Sequence, residues 1–166
     1  MRKFILILIF LFPSLLFSQR DITDSLKKAV NETNIDTVKI QLYNQLSNVL
    51  KGRDNEQALM FAKKSLALAK KTNYLKGVAP VYKTIGILKF FQGELDSAFV
   101  YFDKSLKTYK ELGDKKGVAA GYVNIGILKK NIGEIKEAGN SYQKALEVYK
   151  EIDDNEGVAK TYLNLG

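Results

Sequence analysis

Equivalent side chains return every 40 residues through most of this chain, and few folds tolerate that constraint. Lys76-Gly77-Val78-Ala79 recurs as Lys116-Gly117-Val118-Ala119 and, in part, as Gly157-Val158-Ala159. Tyr82, Tyr122 and Tyr162 keep the interval, as do Ile85-Gly86, Ile125-Gly126 and Leu165-Gly166. Gly93-Glu94 returns as Gly133-Glu134, Ala58 as Ala98 and Ala138, and Leu66 as Leu106 and Leu146. A fixed period of this length marks one supersecondary unit used repeatedly, each copy covering the apolar face of the one before it.

Within a unit the apolar spacing is helical. Val78, Tyr82, Ile85 and Leu88 share one face of a helix predicted over Lys76 to Phe91. Gln92-Gly93 ends it, with the glycine free to take a left-handed backbone. A second helix is predicted from Leu95 to Leu112, burying Ala98, Phe102, Leu106 and Tyr109. Glycine inside a helix costs about 1 kcal/mol against alanine, so the return of Gly86 at Gly126 calls for a compensating gain. The expected gain is close approach of the two helix backbones within a pair, with small residues such as Gly86 and Ala98 on the facing surfaces.

These positions resemble the tetratricopeptide repeat. The family's order of aromatic, Leu-Gly, Gly, Ala, aromatic and small residue is met by Tyr82, Ile85-Gly86, Gly93, Ala98, Phe102 and Ser105. The next unit meets it with Tyr122, Ile125-Gly126, Gly133, Ala138, Tyr142 and Ala145. Lys89 and Lys129 stand where the family favours tyrosine, and Glu94 and Glu134 where a shorter capping side chain is usual. The period is longer than the family's usual one of about 34 residues, which makes the chain similar to the long-repeat subclass. The resemblance implies an all-α, right-handed superhelical α-solenoid of antiparallel helix pairs. The expected division is a leader over 1–18, a linker or short capping helix over 19–35, complete units over 36–73, 74–113 and 114–153, and the first helix of a fourth unit over 154–166. The first unit matches least: Tyr43, Leu46, Ala58, Ser65 and Leu66 fit, its turn at Gly52-Arg53-Asp54 reads as one residue shorter, and Asp54 reads as a helix N-cap. The last unit breaks off at Gly166 inside its first helix, so the chain reads as truncated.

The first residues have a different character. Met1-Arg2-Lys3 is basic, Phe4 to Phe12 is wholly apolar, and Pro13-Ser14 precedes Leu15-Leu16-Phe17 and Ser18-Gln19. That is the tripartite plan of a secretory signal peptide, and its apolar part is short of the ~20 residues that span a bilayer. Export to the periplasm or cell envelope is expected, with a mature start near Gln19. No Cys follows the apolar stretch, so a lipid anchor there is not expected.

The chain has no His and no Cys, which removes imidazole bases, thiolates and nearly all zinc chemistry. No Gly-rich phosphate loop follows a strand pattern. Glu94 with Asp96, and Glu134 with Glu137, are carboxylate pairs at helix starts, where the dipole favours negative charge. The expectation is therefore no catalysis, no cofactor and no metal. The net charge of +8 permits an acidic partner or an anionic membrane surface, but Lys and Glu are interleaved, as in Lys110-Glu111. A solvated lysine-rich surface is the plainer reading, and nucleic acid is not an expected partner.

The expected partner is a protein or peptide held on the concave surface lined by the first helices. The resemblance implies that Asn124 and Asn164 face a peptide backbone there, since an amide both donates and accepts. Thr84 holds their place in the preceding unit, and Asn44 is only loosely in register. Lys83, Ile87, Phe90, Phe91, Val123, Ile127 and Lys130 are further candidates, the phenylalanines as apolar anchors. Tyr82, Gly86, Ala98, Tyr122, Gly126 and Ala138 are structural positions. The alternative is that the chain is the exported sensory front of a bacterial signalling protein, a histidine kinase or helix-turn-helix regulator, whose membrane attachment would lie beyond Gly166.

Overall fold

The computed structural model describes residues 22–166. The leader expected over 1–18 lies outside them. All regular structure among the described residues is helical. Residues 22–32 form α1, and the expected capping helix extends to the end of that segment. Next come α2 (Asp36–Leu50), α3 (Asn55–Lys71), α4 (Leu75–Phe91), α5 (Leu95–Glu111), α6 (Lys115–Asn131), α7 (Ile135–Glu151) and α8 (Asn155–Leu165). Successive helices are antiparallel partners: α2 packs on α3, α4 on α5, α6 on α7, and each pair on the next. The first helices also meet one another, α2 against α4 and α6 against α8. The result is an α-solenoid of stacked helix pairs.

The turn inside each pair explains why the pairs are alike. At the end of α4, the Gly93 N–H donates to Phe90 C=O at 3.0 Å and the Glu94 N–H to Lys89 C=O at 3.0 Å. Those two bonds satisfy carbonyls that a helix end otherwise leaves open, and they require the left-handed conformation that Gly93 adopts at φ +76°. Glu94 is at once the third residue past α4 and the N-cap of α5, its C=O accepting from the Ala98 N–H at 2.9 Å. Its side chain caps nothing. It pairs instead with Lys89 at 2.7 Å, and Glu134 pairs in the same way with Lys129. The two departures from the family pattern are thus one device, an ion pair spanning the turn.

The stripe expected on α5 is buried as read: Ala98, Phe102, Leu106 and Tyr109 all lie in the core. The account of the glycines needs correcting. A Cβ on Gly86 would lie 2.5 Å from the Phe102 ring, and one on Gly126 would lie 2.6 Å from the Tyr142 ring. What Gly86 and Gly126 admit is an aromatic ring from the second helix, seated flush on the first. Ala98 and Ala138 are buried nearby, but they are not what the glycines face. A second tier repeats the arrangement between units, where Tyr109 lies against Gly117 and Tyr149 against Gly157. Burial in that packing, helped by Asp114, pushes the Tyr109 phenol up to about 12.

The structural tyrosines of the first helices face the second helices. Lys70 and Lys104 lie over the Tyr82 ring at 5.7 and 5.9 Å. Lys110 and Lys144 do the same to Tyr122 at 5.1 and 5.8 Å. Much of the basic surface is therefore ordered as cation–π contacts, each worth about 0.5–1 kcal/mol where exposed.

The first pair departs from the later ones. Its period is shorter because α2 has 15 residues where α4 has 17. The turn itself runs from Lys51 to Asp54 and is longer than the three residues that follow α4, so the expected short turn is corrected to a short helix. Asp54 does cap α3, accepting from the Gln57 N–H at 2.9 Å. Pro80 lies inside α4, which continues through it.

Candidate functional site

A trough of about 380 Å³ runs along the first helices of all four units. It takes Asn48 from α2 and Lys51 from the turn that follows it, and Pro80, Lys83, Thr84 and Ile87 from α4. Ala120, Val123 and Asn124 come from α6, and Gly157, Lys160, Thr161 and Asn164 from α8, with Tyr149 of α7 below. The spacing within each helix is that of a single face. Among the described residues, no carboxylate lines it.

Six of the residues singled out in the sequence meet here: Lys83, Thr84, Ile87, Val123, Asn124 and Asn164. Their states differ. Asn124 is half-buried and spends its amide on no group among the described residues, which leaves its donor and its acceptor open to the trough. Asn164 donates from Nδ2 to Lys160 C=O at 3.0 Å, within its own helix. Thr84 is only 2% exposed and donates to Pro80 C=O at 3.0 Å. The Thr84 hydroxyl also lies 3.5 Å from Asn48 Oδ1, which links α4 to α2 across the floor.

Four candidates lie elsewhere. Phe90 is half-buried between pairs, against Ala98, Phe102 and Leu128. Phe91 sits at the end of α4, 64% exposed, its ring edge-on to Phe90 at 6.0 Å. Ile127 lies one turn beyond Val123, outside the trough lining. Lys130 extends to α8 and donates to Asn164 C=O at 2.9 Å. The paired phenylalanines therefore do not form a trough anchor, because the helix carries them past its end.

Sequence reasoning missed Asn48, Lys51 and Lys160. Asn48 is in register with Ile87, one turn beyond the place that Thr84 and Asn124 hold in their units, and it rather than Asn44 is the first-unit amide of the trough. Lys51 follows three residues later, as the C-cap of α2. Lys160 lies one turn before Asn164, a neighbour that helical spacing alone would have given.

The electrostatics are uneven. Burial holds the half-buried Lys83 ammonium below the usual lysine value, nearby Lys51 adds to this, and Asp114 opposes it. The Lys160 ammonium is hydrogen-bonded to Glu156, which raises its pKa and lowers that of Glu156. Burial first, and then Asp154, raises the Tyr149 phenol. Nothing in this set is a nucleophile poised beside a base. It is a polar, amide-bearing, cationic surface suited to hydrogen-bonding an extended chain.

No family model and no curated protein matches the chain. Its architecture is shared with solved structures. BtubC from P. vanneervenii superposes with a TM-score of 0.78 at 18% identity, over 89% of this chain and 64% of that one. Aspartyl phosphate phosphatase F from Bacillus subtilis gives 0.81 at 14% identity, over 90% of this chain and 40% of that one. A signal-transduction ATPase with numerous domains from Pyrococcus horikoshii, which has a tetratricopeptide repeat sensor, gives 0.75 at 18% identity, over 91% of this chain and 24% of that one. This chain thus spans less than two-thirds of each. At these identities the likeness is one of fold, a helical repeat of tetratricopeptide type.

Proposed function

We propose that this chain is an exported, non-catalytic binding module that holds a protein or peptide in the trough of its first helices. The observation that carries the reading is the trough itself: a half-enclosed surface with an uncommitted amide at Asn124, a second amide at Asn164, and no carboxylate among its lining side chains. An amide of that kind can take one donor and one acceptor from a guest backbone, which makes binding tolerant of guest sequence. The basic, apolar and small-residue order of the first 18 residues supports export.

The test is selection from a random peptide library on the purified chain. Recovered peptides should bind the parent and lose about tenfold in affinity against Asn124→Ala, a change equivalent to one hydrogen bond left unmade. Binding unchanged in Asn124→Ala and Lys83→Glu would move the site out of the trough. Export has its own check, since an intact Met1 found by mass spectrometry in the envelope fraction would count against it. Turnover of a substrate by the purified chain would overturn the non-catalytic reading.

A second reading is favoured by one comparison. In the Pyrococcus horikoshii protein, a tetratricopeptide repeat region serves as the sensor of a much longer signalling chain. On that reading this module is the sensory front of a membrane-anchored kinase or regulator, and binding in the trough is its input. An apolar span and an effector domain encoded downstream of Gly166 would support it, and an early stop codon would sink it.

A further inference from the structure

Lysine is not spread evenly over the second helices. Lys64, Lys104 and Lys144 stand in register on α3, α5 and α7, and Lys70, Lys110 and Lys150 form a second set six residues further on. Between the two sets lie Ala67, Lys107 and Glu147, so seven of these nine equivalent positions are lysine and one is acidic. All six lysines of the two sets are exposed, and none has a carboxylate partner among the described residues. Asp103, beside Lys104, is taken by Lys107 at 2.7 Å, and Glu151, beside Lys150, is drawn to Lys115. The contacts of the six are with rings instead. Lys70 of α3 and Lys104 of α5 share Tyr82, and Lys110 of α5 and Lys144 of α7 share Tyr122. Lys150 reaches Tyr162 at 6.0 Å, and Lys64 reaches Phe61 at 5.6 Å. A tyrosine of a first helix thus gathers ammonium groups from two neighbouring second helices, which joins the sets into one basic row across three helices.

A cation–π contact orders a lysine without neutralising it, and the ammonium keeps N–H groups for an outside acceptor. Part of the entropy cost of holding an anion is thereby met in advance. Like charges along the row repel, and an anionic partner would relieve that repulsion. The kind of partner follows from how the rings are placed. Tyr82 and Tyr122 are half-buried, each with two ammonium groups over it. They are not free platforms for the stacked bases of a nucleic acid. Stacked pairs bring equivalent positions to one side of the solenoid, so the rungs can meet a plane together. Long lysine stems backed by tyrosines suit the charged headgroup layer of a bilayer. We infer that this row is a peripheral docking surface for an anionic phospholipid bilayer, with the lysines of α3, α5 and α7 on the lipid phosphates. None of the six lines the trough. The inference therefore goes beyond the binding reading and stands without it, and a docked chain keeps its trough open to a guest.

The experiment is sedimentation of the full chain with vesicles of phosphatidylcholine alone, or of phosphatidylcholine and phosphatidylglycerol in equal parts. The chain should bind the anionic vesicles about tenfold more tightly or better, and added salt should weaken that binding. Lys104→Gln with Lys144→Gln should lose about tenfold or more, at roughly fivefold for each lysine near a charged leaflet. Lys104→Arg with Lys144→Arg keeps the charge and should bind like the parent. Lys28→Gln with Lys136→Gln removes the same charge away from the row and should cost less than about twofold, because salt screens distant charge. Every variant carries the same leader, so any attachment through it is common to all and drops out of the comparison. Circular dichroism checks that each variant folds, and Lys64→Gln with Lys110→Gln probes the row a second time. Equal binding to the two vesicle types, or equal losses from the glutamine pairs on and off the row, would overturn the inference. So would binding of a single-stranded DNA oligonucleotide without binding of the anionic vesicles, which would assign the row to nucleic acid.

Discussion

The first and third helix pairs solve the same packing problem with opposite materials. In the third, Gly126 gives up its side chain so that Tyr142 can lie flat on α6. In the first, the residue in register with Gly126 is Ser47, and the one in register with Tyr142 is Ala62. Both are fully buried. The Ser47 hydroxyl donates to Ala58 C=O at 2.8 Å, and Ser65 donates to Ile40 C=O at 3.0 Å. The third pair has Ala145 in place of Ser65 and makes no such bond. Bulk has been moved from the second helix to the first, and polar cross-links replace an aromatic seat. What a repeat conserves is the volume shared between two helices, and the residues that fill it can change together.

Five substitutions test that contrast. The largest effect is expected from Gly126→Leu, which forces a side chain into the Tyr142 ring and should lower stability by about 1–3 kcal/mol. Ser47→Leu in the first pair should be milder, since Ala62 and not an aromatic ring holds the place in register with Tyr142 there. Equal drops in melting temperature would show that the two pairs are packed alike after all. Next in size is Ser65→Ala, which removes the bond to Ile40 C=O and should cost about 0.5–1.5 kcal/mol in urea unfolding. The reciprocal Ala145→Ser should be neutral or slightly stabilising if its hydroxyl finds Ala119 C=O, and a clear loss would mean that the third pair has no space for it. The smallest effect is expected from Lys129→Ala. It removes an exposed ion pair worth at most about 1 kcal/mol, and less at high salt. A larger, salt-independent loss would mean that the lysine stem packs against Phe99, whose ring lies 5.3 Å from its ammonium.

The fold was legible because its information is redundant. Val78, Tyr82, Ile85 and Leu88 state the helical period once, and the 40-residue offset states it again. The role of Gly86 was only half legible. Recurrence says that a side chain is forbidden there, but not which neighbour forbids it, and Phe102 was already assigned to a buried stripe. Asn124 and Asn164 stood out because they recur. Lys51 and Lys160 did not, since the residues in register with Lys160 are Pro80 and Ala120, and a periodicity argument sees only what repeats. Phe90 and Phe91 misled for a related reason. Aromatic character suggests a contact, but adjacent positions on a helix point about 100° apart and cannot serve one trough together.

Glu134 belongs to two helices at once, closing α6 and opening α7. An extra residue inserted at such a junction has nowhere to loop out, so it would turn everything downstream by about a quarter-revolution or more about the helix axis. Growth and loss in an array built this way must therefore proceed by whole pairs. The one odd interval falls where that rule would allow it, beside the four-residue junction between α2 and α3, which alone has slack to absorb a change of phase.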